Sequence, residues 1–213
     1  MIRMSDITAY ITCPRLCYYR VHYGEGSFTE VNAVREIYMS YRRGFDLYWA
    51  EERCKNLYES FDGRVFKKAA EKFVFIPELE KLRAVDWDVV VRSEKLGVVM
   101  VIDEIVEDNG QHPLFVSTNP PVRDVWFRDA VKAAVASILG VGGRSYFYYA
   151  YTGDLRDFTP NSGIRRRAIK LIERVRMVKQ GFLPERREGG YCEYCNFSEE
   201  CETKPETFAS KFL

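Results

Sequence analysis

The sequence predicts an α/β protein whose mixed sheet is flanked by helices, and three patterns along the chain predict this class. Apolar residues first recur at helical spacing between residues 6 and 58. A meander of short strand-like runs follows, from Phe73 to Thr118. Beyond it a helix, a strand and a further helix alternate up to Gln180. Helices on either side of a meander can cover both faces of one sheet, so these patterns together favour α/β architecture.

The composition allows a large core under a densely charged surface. Hydrophobic residues make up 46% of the 213 residues and charged residues 30%, but the net charge is only +1. A chain-wide positive field that attracts nucleic acid is therefore excluded, and any basic patch has to be local. Glutamine occurs only at positions 111 and 180, and scarce amides beside abundant charge are typical of a thermophile.

Neither a membrane span nor a secretory signal is predicted. No apolar run approaches the roughly 18 residues that a spanning helix needs. The first ten residues, MIRMSDITAY, lack the apolar stretch of a signal peptide. We therefore expect a cytoplasmic protein, in which a cluster of cysteines favours metal binding over disulfides.

The segments before the strands are predicted to be helical. Ser5 is expected to cap a short helix that ends at Thr12, and Pro14 is expected to be the first residue of a second helix. A capping-box pattern, Ser-x-x-Glu, occupies residues 27–30. It precedes one long helix predicted from Val31 to Tyr58.

Four strands are predicted in the meander, at Phe73–Ile76, Val85–Val91, Val98–Val106 and Leu114–Val116. The third is apolar on both faces until Asp103, so we expect it to be a central strand. A helix, an aromatic strand and a final helix are predicted at Val122–Leu139, Ser145–Tyr151 and 162–180. Asn161 or Ser162 is expected to cap the last of them.

The second and third strands form a predicted hairpin that carries acidic residues. The turn-like residues 92–97 join them, and a mirror point between Glu94 and Lys95 places Asp86 opposite Asp103. Because side chains alternate along a strand, Asp88 shares a face with Asp86, and Asp103 points to that face. Like charges directly opposite each other on a buried hairpin are unfavourable, and a divalent cation between them would remove that cost.

The hairpin therefore predicts a site for Mg²⁺ or Mn²⁺ at Asp86 and Asp103, since both cations prefer oxygen ligands. A register slip of one residue would bring in Glu104 instead. The alternative interpretation is a pair of acids at the strand ends that face solvent.

The tail contains a cysteine cluster. Cys192, Cys195 and Cys201 have the spacing C-x2-C-x5-C within GGYCEYCNFSEECET. These three thiols cannot all pair with one another in disulfides, but three thiolates can bind one metal centre, which then needs a fourth. Cys13 is our choice for the fourth ligand, because free N–H groups at the start of a helix favour a thiolate. Cys17, four residues later, is the alternative.

The cysteine spacing alone does not name the metal. Zinc sites more often have two C-x2-C pairs, whereas a cubane iron–sulfur cluster accepts irregular spacing because each cysteine binds a different iron. Both metals stay open at this point, as does a set of buried cysteines with one incidental disulfide. Cys54, in the long helix, is expected to be structural.

The final helix has a basic face. Its cationic residues are Arg165, Arg166, Arg167, Lys170, Arg174, Arg176 and Lys179. Glu173 is the only acid among them, so Arg165, Arg166, Lys170 and Arg174 are candidates for contacts with DNA phosphates. The alternative is a solvated helix face.

Together these features resemble the RecB-like iron–sulfur nucleases of the CRISPR adaptation machinery, the fourth CRISPR-associated protein family. The tail is the most specific part: a basic helix, then Gly181-Phe182-Leu183-Pro184, then the three cysteines, with Cys13-Pro14-Arg15 near the other end. Ser5-Asp6-Ile7, Arg43-Gly44 and Leu82-x-x-x-Asp86 also resemble the family, so that the resemblance spans nearly the whole chain.

This resemblance implies a restriction-endonuclease-like, RecB-type core over residues 31–180. It implies a 4Fe–4S cluster in a module made of residues 1–30 and 181–213, with Cys13, Cys192, Cys195 and Cys201 as ligands. It also implies that the partners are DNA, as single-stranded or overhanging ends, and the CRISPR integrase complex.

The family's nuclease motif is only partly present. Its aspartate matches Asp86, and its acid matches Asp103 or Glu104, which makes these three residues the catalytic candidates. The motif histidine falls on Tyr48. The motif lysine, which positions the attacking water and offsets charge on the phosphate, falls on apolar residues 105 or 106. Residues 128–133 contain neither the glutamine nor the tyrosine of the family's helix motif.

Three functional hypotheses follow. The first is a DNA-binding iron–sulfur protein of CRISPR spacer acquisition, which handles protospacer ends and has impaired nuclease chemistry. The second is an active metal-dependent DNA exonuclease that uses Asp86 and Asp103, with Lys132 in place of the missing lysine. The third is a DNA-repair accessory protein without a CRISPR role.

Overall fold

The computed structural model describes residues 1–24 and 27–202. Of the predicted cluster module, residues 25–26 and 203–213 lie outside the described residues. The chain divides into two compact units. The first comprises Met1, Arg3 and residues 27–170, and the second comprises Ile2 and, within the described residues, 4–24 and 171–202.

A single mixed sheet contains all six strands of the described residues. They are β1 (Ile2–Arg3), β2 (Arg83–Ser93), β3 (Val98–Glu107), β4 (Gln111–Ser117), β5 (Ser145–Tyr149) and β6 (Asp154–Phe158). The strand order is β1-β3-β4-β5-β6, and β2 pairs with β3. Only β4 and β5 pair in parallel, whereas β2–β3, β3–β4 and β5–β6 are antiparallel. The predicted class, a mixed sheet flanked by helices, is confirmed.

Eight α-helices accompany the sheet in the described part of the chain. They are α1 (Met4–Thr12), α2 (Pro14–Tyr23), α3 (Glu30–Arg42), α4 (Leu47–Leu57), α5 (Gly63–Lys72), α6 (Phe127–Ile138), α7 (Ser162–Lys179) and α8 (Ser198–Glu202). Short 3₁₀ turns lie at Pro77–Lys81 and Cys192–Tyr194. As predicted, Pro14 is the first residue of a helix, and the Asn161 side chain caps α7 by accepting the Ile164 N–H at 3.0 Å. α1 begins at Met4, before the expected Ser5 cap.

The predicted long helix from Val31 to Tyr58 is wrong, because the structure divides this segment into α3 and α4. Gly44 follows α3 with a left-handed φ of 78°, which ends a helix at little cost for glycine. Asp46 then caps α4 by accepting the Trp49 N–H at 2.9 Å. The predicted capping box is also displaced, since the cap of α3 is formed by Thr29 and Asn32.

One other predicted element is absent, two elements were not predicted, and the helix predicted at Val122–Leu139 begins only at Phe127. Phe73–Ile76 is not a strand, although the Val74 N–H donates to the Ala150 carbonyl at 2.7 Å. β6 and α5 were missed, because the β6 sequence DLRDF and the α5 sequence GRVFKKAAEK are rich in charged residues. The apolar side chains of β6 are too few to show a period, whereas Val65, Phe66, Ala69 and Ala70 of α5 do recur at helical spacing, so the signal for α5 was present in the sequence.

The core of the first unit lies between the sheet and the helices α3, α4 and α5. Ile37 and Tyr38 of α3 pack in one buried cluster with Val106 of β3, Leu114 of β4 and Tyr148 of β5. α3 therefore packs on β3, β4 and β5, and its charged residues lie beside Asp103 and Glu104 of β3.

Candidate functional site

β2 and β3 pair in a register that differs from the predicted one. Asp86 lies opposite Ile105, and Trp87 lies opposite Glu104. The predicted facing pair of Asp86 and Asp103 is therefore wrong. The hairpin is centred one residue later in the turn than its composition indicated, and this displaces the facing pairs from Asp86 to Ser93 by two positions. A register irregularity between Ala84 and Asp86 reduces the displacement to one position for Arg83 and Ala84.

Asp88 occupies the place that was predicted for Asp86. Asp86 is exposed, and its carboxylate accepts the N–H of Trp87 at 2.8 Å. Asp88 has a left-handed φ of 53°, which is uncommon for a residue with a side chain. Its carboxylate points to α3 and α4, where it meets two arginine side chains.

Arg35 of α3 connects three carboxylates. Its Nε donates to Asp103 Oδ1 at 2.5 Å, one terminal nitrogen donates to Asp88, and the other donates to Glu36 at 2.8 Å. The second oxygen of Asp103 accepts the backbone N–H of Val116 on β4 at 2.8 Å. The Asp103 carboxylate is thus held on both sides, by a guanidinium and by a backbone donor.

Arg53 of α4 forms the second link. It donates to Glu36 at 2.5 Å and to Asp88 at 2.6 Å. Glu36 is completely buried and also accepts from the Tyr58 hydroxyl at 3.1 Å. We call the set of Arg35, Glu36, Arg53, Asp88 and Asp103 the arginine–carboxylate network.

Glu104 is held separately, one residue after Asp103. Its carboxylate is completely buried and accepts from the Tyr38 hydroxyl and from the Arg42 guanidinium. Arg42 also donates at 2.8 Å to each of the carbonyls of Leu79 and Leu82, just before β2 begins. This pair thereby fixes the end of α3 to the segment that leads into the hairpin.

The surroundings keep these groups in the protonation states that the bonds require. Burial lowers the pKa of Arg35, but the charges of Asp103, Glu36 and Asp88 outweigh that effect and raise it above its usual value. Burial, followed by the charge of Glu104, raises the pKa of Tyr38 well above its usual value. Burial and the charge of Glu36 raise the pKa of Tyr58 to about 12. Both tyrosines therefore remain hydrogen-bond donors at neutral pH.

This arrangement places guanidinium groups beside the hairpin acids, where the sequence predicted a divalent cation. Three arginines, Arg35, Arg42 and Arg53, face four carboxylates. Within residues 1–24 and 27–202, no three His, Cys, Asp or Glu side chains are grouped so that they could hold a metal ion. The acids are instead bound to arginine and tyrosine donors.

The other residues expected at a nuclease site make no ion pair or hydrogen bond with this network among the described residues. Tyr48, at the motif histidine position, has 70% of its surface exposed. Ile105 and Val106, the two candidate positions of the motif lysine, are buried and apolar. Lys132 lies 3.6 Å from Asp129 on α6, and its Nζ lies 5.9 Å from the centre of the Phe115 ring.

Sequence reasoning missed Arg35, Glu36 and Arg53. The sequence carried no signal for them in α3, because two charged residues between Val34 and Ile37 are the ordinary pattern of an amphipathic helix with a solvated face.

The cysteines of the predicted cluster belong to the second unit. All six cysteines are free thiols, and Cys13 is the N-cap residue of α2. Arg15 donates to the carbonyls of Pro184 and Cys201, both at 3.0 Å, and its guanidinium lies 3.7 Å from the Cys201 sulfur. The beginning of α2 is thereby bonded to the tail. Burial and the charge of Asp6 raise the pKa of Cys17 to about 12, which disfavours a thiolate there.

Free thiols are the chemical type of ligand that a thiolate-bound metal centre takes. Four partly exposed free thiols lie on α2 and on the tail segments that Arg15 joins to it. Cys54 differs, since burial and the charge of Glu36 raise its pKa to about 12. The ligand set nevertheless stays a prediction, because the described thiols are not grouped around one point.

The basic face of α7 is largely exposed. Arg166, Lys170 and Arg174 are exposed and have no ion-pair partner among the described residues, whereas Arg165 is half-buried. Lys179 is bound at 2.9 Å to the buried Asp6. The first three side chains therefore present charge to solvent.

No known protein-family model matches the chain. A curated relative from Archaeoglobus fulgidus, described as an uncharacterized protein, is 51% identical over 214 residues, and the alignment covers the whole of both chains. The chain belongs to the family of that archaeal protein. Since the relative is described only as an uncharacterized protein, this membership indicates no function for the chain.

Similarity to a solved structure extends over almost the whole fold. The crystal structure of a candidate exonuclease from Eubacterium rectale superposes with a TM-score of 0.58 at 14% identity, covering 97% of this chain and 90% of that one. The chain therefore shares the overall fold of that structure. The structure of a protein named SSO0001 gives a TM-score of 0.40 at 12% identity, over 93% of each chain.

None of the described helices has both the length and the apolar composition for a bilayer crossing.

Replacing Arg42 should strongly destabilise the fold. Arg42→Met leaves the buried Glu104 carboxylate without its guanidinium partner, and breaking a buried pair in this way typically costs about 3–5 kcal/mol. The free energy of unfolding, measured by urea titration, is expected to fall by that amount. Arg64→Met is the matched control, because Arg64 pairs with Asp62 at the surface, with 94% of its side chain exposed.

The double variant Arg42→Met with Glu104→Leu distinguishes the origin of the loss. If an uncompensated charge causes the destabilisation, removing Glu104 as well should recover a large part of it. A double variant no more stable than Arg42→Met would contradict this explanation.

Proposed function

We propose that this protein binds DNA ends with a nuclease-like fold whose cleavage site is closed by its own arginines. The observation that supports this best is the pair of bonds from Arg35 to Asp88 and Asp103. Metal-dependent phosphodiester cleavage needs a cation between such carboxylates and a water that the cation activates. Here the carboxylates already bind a fixed positive group.

A divalent cation would have to displace that group. Two positive charges about 4 Å apart repel each other by roughly 4 kcal/mol at an effective dielectric constant near 20, so a cation cannot join the sites without moving Arg35. Moving it would separate Arg35 from Glu36 as well, which is completely buried. The apolar Ile105 and Val106 supply no replacement for the family's lysine.

We infer that the second unit holds a 4Fe–4S cluster on Cys13, Cys192, Cys195 and Cys201. The resemblance to the CRISPR-associated family motivates the choice of iron, and the bonds from Arg15 to the tail support the choice of Cys13 over Cys17. The cluster would supply a covalent link between the two chain ends. Folding and metal binding are coupled in such sites.

In this proposal the protein acts in CRISPR spacer acquisition, where it holds or selects protospacer ends beside the integrase complex. The exposed cations of α7 would contact the DNA backbone, and single-stranded or overhanging ends are the expected form. The role rests on the resemblance, and the genomic neighbours of the family decide between it and a DNA-repair accessory role.

An active exonuclease is the second candidate. The similarity to a candidate exonuclease structure favours it. Asp88 is also not sealed in, since 31% of its side chain is exposed. In that case a cation would be held by Asp88 and Asp103, rather than by the predicted Asp86 and Asp103.

The absence of cleavage is the central expectation. Labelled single- and double-stranded DNA, incubated with excess protein and Mn²⁺, should stay intact. Losing one positive stabilising group alone commonly reduces the rate about 10²- to 10³-fold. Mn²⁺ binding, followed by electron paramagnetic resonance, should be undetectable for the wild type and should appear in Arg35→Gln, which frees Asp88 and Asp103.

Asp103→Asn in the Arg35→Gln background is the matched control, and it should remove the gained Mn²⁺ binding. Wild-type cleavage that Asp103→Asn abolishes would establish the exonuclease instead. This outcome does not depend on whether Arg35→Gln folds.

The cluster can be tested by colour and iron content. Protein purified without oxygen should be brown and contain about four iron atoms, as a cubane cluster requires. Cys13→Ala and Cys195→Ala should lose the iron and lower the melting temperature, whereas Cys17→Ala and Cys54→Ala should keep it. A colourless protein with one zinc would refute the iron–sulfur assignment. Iron that is retained in Cys13→Ala but lost in Cys17→Ala would assign the fourth ligand position to Cys17 instead.

Charge reversal on α7 tests the DNA surface. Arg166→Glu with Lys170→Glu should weaken binding to a single-stranded oligomer, most strongly at low salt. Each lost phosphate contact should flatten the slope of log K against log salt by about 0.7 for a single strand. Lys67→Glu on α5 makes the same charge change as either α7 substitution alone and is the control for the single variants Arg166→Glu and Lys170→Glu. Equal slopes in the control and in these single variants would mean that α7 is only a solvated face.

A further inference from the structure

A stack of aromatic and cationic side chains occupies the turn between α3 and α4. The rings of Phe45 and Trp49 lie 4.6 Å apart at an angle of 13°. The Arg43 guanidinium lies 6.0 Å from the centre of the Trp49 ring and 5.3 Å from that of Trp87. We call Arg43, Phe45, Trp49 and Trp87 the stacking platform.

The platform is open to solvent on the Phe45 side. Phe45 is 46% exposed, and every residue from Arg43 to Tyr48 is exposed to solvent. Tyr48, next to the platform, is 70% exposed. Exposed large aromatic residues in one patch mark a binding surface more often than chance placement.

The backbone that carries Phe45 is fixed by its own hydrogen bonds. Phe45 N–H donates to the Ser40 carbonyl at 2.9 Å, and Gly44 N–H donates to the Tyr41 carbonyl at 3.1 Å. The Ser40 hydroxyl donates to the carbonyl of Asp46, whose side chain caps α4. A ring that is already held in place loses little conformational entropy when a ligand stacks on it.

The platform adjoins the arginine–carboxylate network. The Arg53 guanidinium lies 5.5 Å from the centre of the Trp49 ring, and the same group donates to Glu36 and Asp88. A ligand that stacks on Phe45 would therefore lie beside the site where a nuclease of this fold would cut.

We propose that the stacking platform binds an unpaired base of single-stranded DNA. This inference rests on the proposed function and names the form of DNA that the protein holds. Ring faces beside the Arg43 guanidinium match a nucleotide, since bases stack on aromatic side chains and the adjacent phosphate is attracted by Arg43. Because every base has a π face, the platform has no sequence preference.

Oligomers with and without bases separate stacking from charge. The probes are a single-stranded dA oligomer and an oligomer of equal length with abasic sites, and binding is followed by fluorescence anisotropy of a labelled end. Phe45→Leu keeps an apolar side chain but removes the ring. It should bind the dA oligomer about 5- to 100-fold more weakly than the wild type, the range measured for one base–aromatic stack.

The abasic oligomer should bind Phe45→Leu and the wild type equally, because it retains only the backbone contacts. The salt dependence of dA binding should be unchanged in Phe45→Leu, in contrast to the α7 variants. Phe45→Tyr retains a ring and should bind like the wild type. Phe127→Leu on α6 is the matched control, since Phe127 is 42% exposed and is not in the platform.

The outcomes separate this inference from the proposed function. If the wild type binds neither oligomer, the proposed DNA binding and the base-stacking inference are both refuted. If it binds both oligomers equally and Phe45→Leu has no effect, the protein binds DNA without the platform. The proposed function then stands, and the inference about the platform is refuted. If Phe45→Leu weakens binding of the abasic oligomer as well, base stacking is refuted.

Discussion

The burial of two glutamates beneath α3 is the constraint on which the first unit depends. Glu36 and Glu104 are both completely buried, and an unpaired carboxylate in such a place costs several kcal/mol. Arg35, Arg42 and Arg53 compensate them, with help from Tyr38 and Tyr58. Because these partners come from α3 and α4 and the acids from α3 and β3, the ion pairs fix the helices on the sheet.

The same pairing connects the fold to function. Asp88 and Asp103 of the central hairpin, whose oxygens are of the type that a divalent cation binds, are bound by Arg35 instead. The arginine that closes the site also shares Asp88 with Arg53, which lies against Trp49. The three carboxylates of the arginine–carboxylate network outnumber its two guanidinium groups, so these arginines are neutralised within the fold and leave no net positive charge there.

The success of sequence reasoning varied with the range of the interactions involved. β3, β5 and α7 were predicted because their apolar or basic patterns are continuous and local. The helix break at Gly44 was missed because apolar residues recur at helical spacing on both sides of it. The partners of Arg35 were beyond prediction, since Asp88 and Asp103 lie 53 and 68 residues away in sequence.

By itself the sequence determined the α/β class with a mixed sheet, the proline-led start of α2 and the basic character of α7. It also determined the cysteine spacing that predicts a metal centre, whose ligands stay a prediction. Only the tertiary structure decided the register of the hairpin and with it the acid that meets Asp103. The physical reason is that side chains alternate with a period of two, so a shift by two residues leaves every side chain on its own face. The alternation is therefore equally satisfied by Asp86 and by Asp88, and the pairing with Arg35 and Arg53 selects Asp88.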